Sequence, residues 1–151
     1  MLKEEAISKW GNYKGSQRKP VDFDKFWDKA KLEVDTLGTE YQLEKIFLPS
    51  KQVDCFLLTF TGIGGSKVSC QMICPKKCMK PLPALLQFHG YHSSSGDWSD
   101  KIGLASEGMI VFAMDVRGQG GISEDGSSTK YATLRGHLIR GIEVGAENLF
   151  Y

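Results

Sequence analysis

Leu85-Leu86-Gln87-Phe88-His89-Gly90-Tyr91 is a run of residue types whose order could do chemistry. An apolar strand that runs into His-Gly and then an aromatic can aim a backbone N–H at an oxygen that gains negative charge, as an ester carbonyl oxygen does when its carbon turns tetrahedral. Gly90 lets the chain turn sharply enough to present the N–H of Tyr91, and the Tyr91 ring can close one wall of a pocket. An ordinary strand-end turn with a packed tyrosine is the plainer alternative. His89 precedes the turn, where a neutral imidazole serves as a hydrogen-bonding brace more readily than as a general base.

Asp115-Val116-Arg117-Gly118-Gln119-Gly120 follows the next apolar run. Arg117 stands at a strand terminus beside a flexible turn. A buried guanidinium there could stack on Trp98 or Tyr91 and pin neighbouring loops; a solvated arginine in a turn fits the same residues. Gly118, Gly120 and Gly121 invite a dinucleotide site, but the spacing is not Gly-x-Gly-x-x-Gly and no helix clearly follows. His92 and His137 lie in loops and receive no role. In Ser93-Ser94-Ser95-Gly96, the glycine that a nucleophile elbow places two residues before its serine is missing: His92 stands there if Ser94 is the serine. No Gly-x-Ser-x-Gly occurs in the chain. Cys70, Cys74 and Cys78 are evenly spaced, yet Pro75 breaks the run and no fourth ligand is near. Cys70 and Cys74 run in phase with Val68 and Met72, so thiols on one strand face are expected rather than a metal site. No cofactor is expected.

These residues need elements to hold them. Residues 1–20 read as an irregular arm carrying Trp10 and Tyr13. Asp22 can cap a helix over 22–37, ended by Gly38, with Phe23, Phe26, Trp27, Ala30 and Val34 on one face. Strands are expected at Tyr41–Leu48, Val53–Thr61 and Lys67–Ile73, and the short connections between them imply antiparallel pairing. Ala84–Phe88 and Met109–Met114 are continuous apolar runs, as in strands of a parallel sheet covered on both faces. A helix at Asp97–Glu107, ended by Gly108, completes one crossover of an α/β fold. The glycine-rich stretch 115–131 is expected to be a loop at the carboxyl ends of those strands, where α/β folds keep their chemistry. His137–Ile142 reads as a short helical or extended piece, and Glu147–Tyr151 as the opening of a helix. A domain rarely ends one turn into an element, so the expected organisation is a portion of a single domain spanning 1–151.

Composition narrows the function classes. The 151 residues are 41% hydrophobic and 25% charged, ordinary for a globular domain. Lys+Arg 19 against Asp+Glu 18 gives a net charge of +1 without a like-charge run. Neither nucleic acid nor a membrane surface is expected as a partner. The N-terminus lacks the apolar core of a signal peptide, and the four cysteines read as reduced thiols, so a cytoplasmic compartment is expected.

Together these segments resemble the acetyl xylan esterase / cephalosporin C deacetylase family of carbohydrate esterases, which have the α/β-hydrolase fold. The resemblance begins at Arg18-Lys19-Pro20-Val21-Asp22-Phe23-Asp24-Lys25-Phe26-Trp27 and is sharpest at Phe88-His89-Gly90-Tyr91, Asp115-Val116-Arg117-Gly118-Gln119 and Ser123-Glu124-Asp125. It continues through Gly136-His137-Leu138-Ile139-Arg140-Gly141-Ile142 and Glu147-Asn148-Leu149-Phe150-Tyr151. It implies the N-terminal part of an α/β-hydrolase sheet, antiparallel strands leading into parallel ones, incomplete within this chain. It also implies a serine esterase acting on acetylated xylo-oligosaccharides and small acetyl esters, homo-oligomeric when complete. In that family the residue matching Tyr91 contributes its backbone N–H to the oxyanion hole, and Arg117, Gly118 and Gln119 brace the site beside His89 and Gly90. The serine nucleophile and its acid and base partners would follow Tyr151, so the 151-residue chain alone is expected to be inactive. Gly120-Gly121 departs from the family, where a more polar loop is common. A non-catalytic binding or partner module on the same scaffold is the runner-up, and a stand-alone enzyme using Ser94 or Cys70 comes third.

Overall fold

Apolar strands separated by turns of a few residues can satisfy their backbone groups most directly by pairing with the strand just made. The computed structural model describes residues 2–77, 80–126, 141 and 143–145. In it β1 (Tyr41–Ile46), β2 (Val53–Thr61) and β3 (Lys67–Pro75) form an antiparallel meander. β4 (Ala84–Phe88) and β5 (Ile110–Met114) then pair in parallel, with Phe88 opposite Met114. β5 lies antiparallel to β3, so the sheet order is β1-β2-β3-β5-β4. The chain divides into two compact units, Met1–Leu32 and Glu33–Tyr151, and the whole sheet belongs to the second.

Strand ends depart from expectation where turn chemistry wins. β1 stops at Ile46 because Phe47 is exposed and Ser50 takes over, its hydroxyl accepting the N–H groups of Gln52 and Val53, each at 3.2 Å. β3 runs on to Pro75, since Val53 at the start of β2 pairs opposite it.

Two helices precede β1 in the chain. One, α1, spans Leu2–Gly11 and corrects the expectation of an irregular arm over residues 1–20. Leu2, Lys3, Glu4, Glu5 and Ala6 are good helix formers, and Glu4 and Glu5 in the first turn with Lys9 in the last suit the helix dipole. Trp10 and Tyr13 are more than half exposed, so the helix forms without burying its aromatics. The second, α2 (Phe23–Thr36), ends before Gly38 in the left-handed region at φ 75°. Ala30 is its buried residue, and Trp27 stacks edge-on against Phe26 with centroids 5.4 Å apart.

The crossover between β4 and β5 carries a third helix, α3 (Ser99–Ser106). Asp97 stays outside it and braces its first residue, its Oδ1 accepting the Ser99 N–H at 2.8 Å and the Ser99 hydroxyl at 2.5 Å. Gly108, at φ 94°, ends the turn that follows.

Alternation across the pleat sorts the strands' residues onto two faces. On one, Val53, Cys55, Ile73 and Val111 pack with Ala105 of α3 into a core whose members are at most 1% exposed. On the other lie Leu58, Cys70, Met72, Phe112 and Met114, with Val68 and Cys74 in phase as the sequence suggested. Cover on both faces, expected for β4, is not what the described residues give: Leu86 and Phe88 are 61% and 62% exposed. Ile73, fully buried at the centre of β3, should report the core most sharply. Ile73→Ala is expected to cost about 2–5 kcal/mol in urea unfolding and Ile73→Val about 0.5–1.5; a loss below about 0.5 for the alanine variant would contradict this packing.

Candidate functional site

Parallel strands joined by a crossover open their carboxyl ends on the same edge, and the loops that leave there make a crevice. Here the loop after Phe88 and the loop after Met114 leave side by side, because those two residues are in register. Each predicted site residue lies in one of these loops.

His89 ties them together at their base. Its Nε2 faces the Val116 N–H at 2.9 Å, and its Nδ1 lies 2.8 Å from the Gly90 carbonyl oxygen. An N–H can only donate, so Nε2 must accept and the ring proton must sit on Nδ1, donating to Gly90. With both nitrogens committed to backbone in this neutral form, the imidazole is a brace.

Gly90 does not supply the sharp turn expected of it. Its φ is not positive, and a Cβ there would meet nothing within 4 Å. The turn closes by the Ser93 N–H on the Gly90 carbonyl at 3.1 Å, and its third residue, His92, takes the left-handed conformation at φ 68°. That is the position a type II turn usually gives to glycine. Gln119 supports it by accepting the His92 N–H on its Oε1 at 2.9 Å. Tyr91, at the second turn position, is 48% exposed and sets its ring edge-on to His92, centroids 4.3 Å apart.

The second loop fastens onto the first and onto the sheet. The Gly120 N–H donates to the Ser93 carbonyl at 3.0 Å, an approach so close that a Cβ on Gly120 would sit 2.9 Å from that oxygen. Gly118 is left-handed at φ 62°, its N–H on the Ser123 carbonyl at 3.3 Å. Arg117 pins a neighbouring loop, but through a hydrogen bond: Nη1 donates to the Ile63 carbonyl at 2.8 Å. Beyond Gly121 the chain runs back along the start of β3. The Ser69 N–H donates to the Ser123 hydroxyl at 2.8 Å, and the Glu124 N–H donates to the Lys67 carbonyl at 2.9 Å.

Asp115 binds the whole arrangement. Only 5% exposed, its carboxylate accepts the Ser95 N–H on Oδ1 at 2.6 Å and the Ile122 N–H on Oδ2 at 3.0 Å, one from each loop. Burial pushes this carboxyl up, but the hydrogen bonds it accepts from the Ile122 N–H and from the N–H and hydroxyl of Ser95 outweigh it and leave it below its usual value. A group so depressed adds stability above the ordinary aspartate range and loses it as pH falls through its own lower pKa. Its oxygens are occupied in holding loops, so Asp115 is not placed as a general base.

Between the loops lies a cavity of about 270 Å³ lined by Cys70, Gln71, Ser95, Trp98, Asp115 and Gly121, among others. A second of about 430 Å³ opens beside Phe88, His89 and Ser94. The larger groove of about 690 Å³ along β1 and β2 touches neither loop. Cys70 is no nucleophile: burial, then the nearby Asp115 carboxylate, push its thiol up to about 11. Cys78 and His137, with the segments Gly136–Ile142 (save Gly141) and Glu147–Tyr151, lie outside the described residues.

Comparison with known proteins gives one answer. The family model described as acetyl xylan esterase (AXE1) matches residues 3–151. The crystal structure of acetyl xylan esterase 1 from Thermoanaerobacterium sp. JW/SL YS485 is similar at 40% identity and TM-score 0.83, over 95% of this chain and 45% of that one. An acetyl xylan esterase from Paenibacillus sp. R4 is similar at 30% identity and TM-score 0.74, over 83% of this chain and 41% of that one. The chain therefore spans less than half the length of either. Among curated proteins no match is found.

Sequence reasoning passed over Asp115 and Gly121 as a pair. The signal was available: a carboxylate at the end of a buried strand must find donors, and glycines just beyond it let backbone N–H groups come close. A Cβ on Gly121 would lie 2.1 Å from the Asp115 carboxylate carbon, with no room to shift. Gly121→Ala should therefore lower stability by about 1–3 kcal/mol in urea unfolding, whereas Gly90→Ala should stay within about 0.5. Equal losses for the two variants would contradict this account of the loops.

Proposed function

This chain belongs to the acetyl xylan esterase family, and on that premise we propose that it carries the oxyanion side of a carboxylic ester hydrolase site. The substrates proposed are acetylated xylo-oligosaccharides and small acetyl esters, cephalosporin C-type acetyl groups included. The observation that carries the reading is the strand-end turn Gly90–Ser93 clamped to the loop of Arg117–Gly121 at the carboxyl ends of a parallel pair. Such a frame can hold a backbone donor still while charge develops on a carbonyl oxygen, which is what electrostatic stabilisation of a tetrahedral intermediate needs.

In this proposal the donor is the Tyr91 N–H, at the second position of the turn, and the Tyr91 ring borders the acyl or sugar pocket. His89, Gly90, Arg117, Gly118 and Gln119 act by holding that turn. No nucleophile, general acid or general base is assigned to a residue of this chain. The proposal includes a homo-oligomeric assembly and a cytoplasmic compartment; the buried, unpaired thiols of Cys55 and Cys70 are compatible with the latter. No helix among the described residues is long and apolar enough to cross a membrane.

Position 91 separates side chain from backbone cleanly, because proline is well tolerated at the second position of such a turn. In the native full-length polypeptide, Tyr91→Pro removes the N–H and should lower turnover of an acetyl ester about 10²–10³-fold, while Tyr91→Phe keeps it and should cost much less. Near-normal turnover in a folded Tyr91→Pro protein would overturn the oxyanion assignment. No saturable turnover in the unaltered protein would favour the non-catalytic module.

A further inference from the structure

Lys101 is 4% exposed on α3, a degree of burial lysine reaches rarely and at a desolvation cost. Among the described residues no carboxylate forms an ion pair with its ammonium, although the charge is felt by the nearby Asp97 carboxylate. Nζ donates to the Ser95 carbonyl in a very short contact and to the Asp97 carbonyl at 2.7 Å, gripping both ends of the turn around Gly96. Gly96 holds the left-handed conformation at φ 75°, and its own carbonyl accepts from the Gln71 amide at 2.8 Å. The other end of the Ser95 residue is held by an anion: its N–H donates to Asp115 at 2.6 Å.

A buried cation and a buried anion thus grip one backbone residue from opposite ends. An apolar side chain of similar length would fill the same space but leave the Ser95 and Asp97 carbonyls without this donor, so the work of the ammonium here is to hold that backbone. From this we propose that Lys101 is a positioning residue: with Asp115 it fixes Ser95 and thereby holds the Gly90–Ser93 turn in register with the loop of Arg117–Gly121. Its consequence for turnover rests on the ester-hydrolase reading, whereas its effect on Ser95 does not.

Amide hydrogen exchange and kinetics on the native full-length protein test the two parts separately. In Lys101→Met, the Ser95 and Ile122 amides should exchange about tenfold faster or more, while those of Ile73 and Val111 in the core accelerate less. The urea midpoint should fall by no more than the loss of these hydrogen bonds implies. Turnover of an acetyl ester should drop about 10–10²-fold with KM changed far less, and Lys101→Arg, which keeps the cation, should recover much of it. Unchanged exchange at Ser95, or equal acceleration of all amides with a lower midpoint, would overturn the proposal. If Lys101→Met does not fold, the unaltered protein decides: the Lys101 ammonium protons should be protected enough to appear as a distinct nitrogen-15 NMR signal, and rapid exchange like that of surface lysines would overturn the assignment. Absence of esterase turnover in the unaltered protein, with the exchange result as expected, would count against the hydrolase reading and not against the clamp.

Discussion

A carboxylate at the end of a buried strand has to be solvated by something, and at Asp115 the protein itself does the solvating. Ser95 comes from the loop after β4 and Ile122 from the loop after β5, and neither N–H can reach the carboxylate unless its loop is folded back over the strand end. One anion therefore helps to set the conformation of two segments at once. The tight approach of Gly120 to Ser93 and the space left by the missing Cβ of Gly121 follow from the same convergence. Charge-assisted bonds of this kind are among the stronger ones available, and they are directional enough to set loop geometry as well as stability.

In the proposed esterase site the consequence would be preorganisation. Donors aimed at a developing oxyanion help only if they are in place before the charge appears, since reorganising them during the reaction would spend the gain. Exposed loops are otherwise the least ordered part of a fold. Here His89 and Gln119 take up the neighbouring backbone N–H groups, Arg117 reaches a third loop at Ile63, and Ser123 seats the chain on β3. The relatives are more than twice as long as this chain, and the frame described here is the part of the fold that the chain shares with them.

Much of this was legible in the residues because local signals and tertiary demands agreed. Ala84–Phe88 is bounded by proline and His-Gly, and its strand has those limits. Val53–Thr61 is likewise met residue for residue. The two loops were placed by the rule that glycine-rich, polar chain follows strands at a functional edge. The misses have physical causes too. Leu2–Gly11 ends in Trp10 and Gly11, which point to irregular chain, but helix propensity and end charges decide it. Gly90 attracted the turn argument, yet the left-handed residue is His92, held there by Gln119 from 27 positions away. Lys101 gave no signal, because a helical lysine is normally a solvated one. Contacts made across the fold leave little trace in local pattern.

The central claim, that the Asp115 carboxylate is ionised and shared by the two loops, is tested most directly by a carbon-13 NMR titration of its carboxyl carbon, followed together with the Ser95 and Ile122 amide shifts. The account predicts a midpoint below the ordinary aspartate value of about 3.9, with both amide shifts moving through that same midpoint. A midpoint at or above the ordinary value, or amide shifts that ignore the titration, would contradict it.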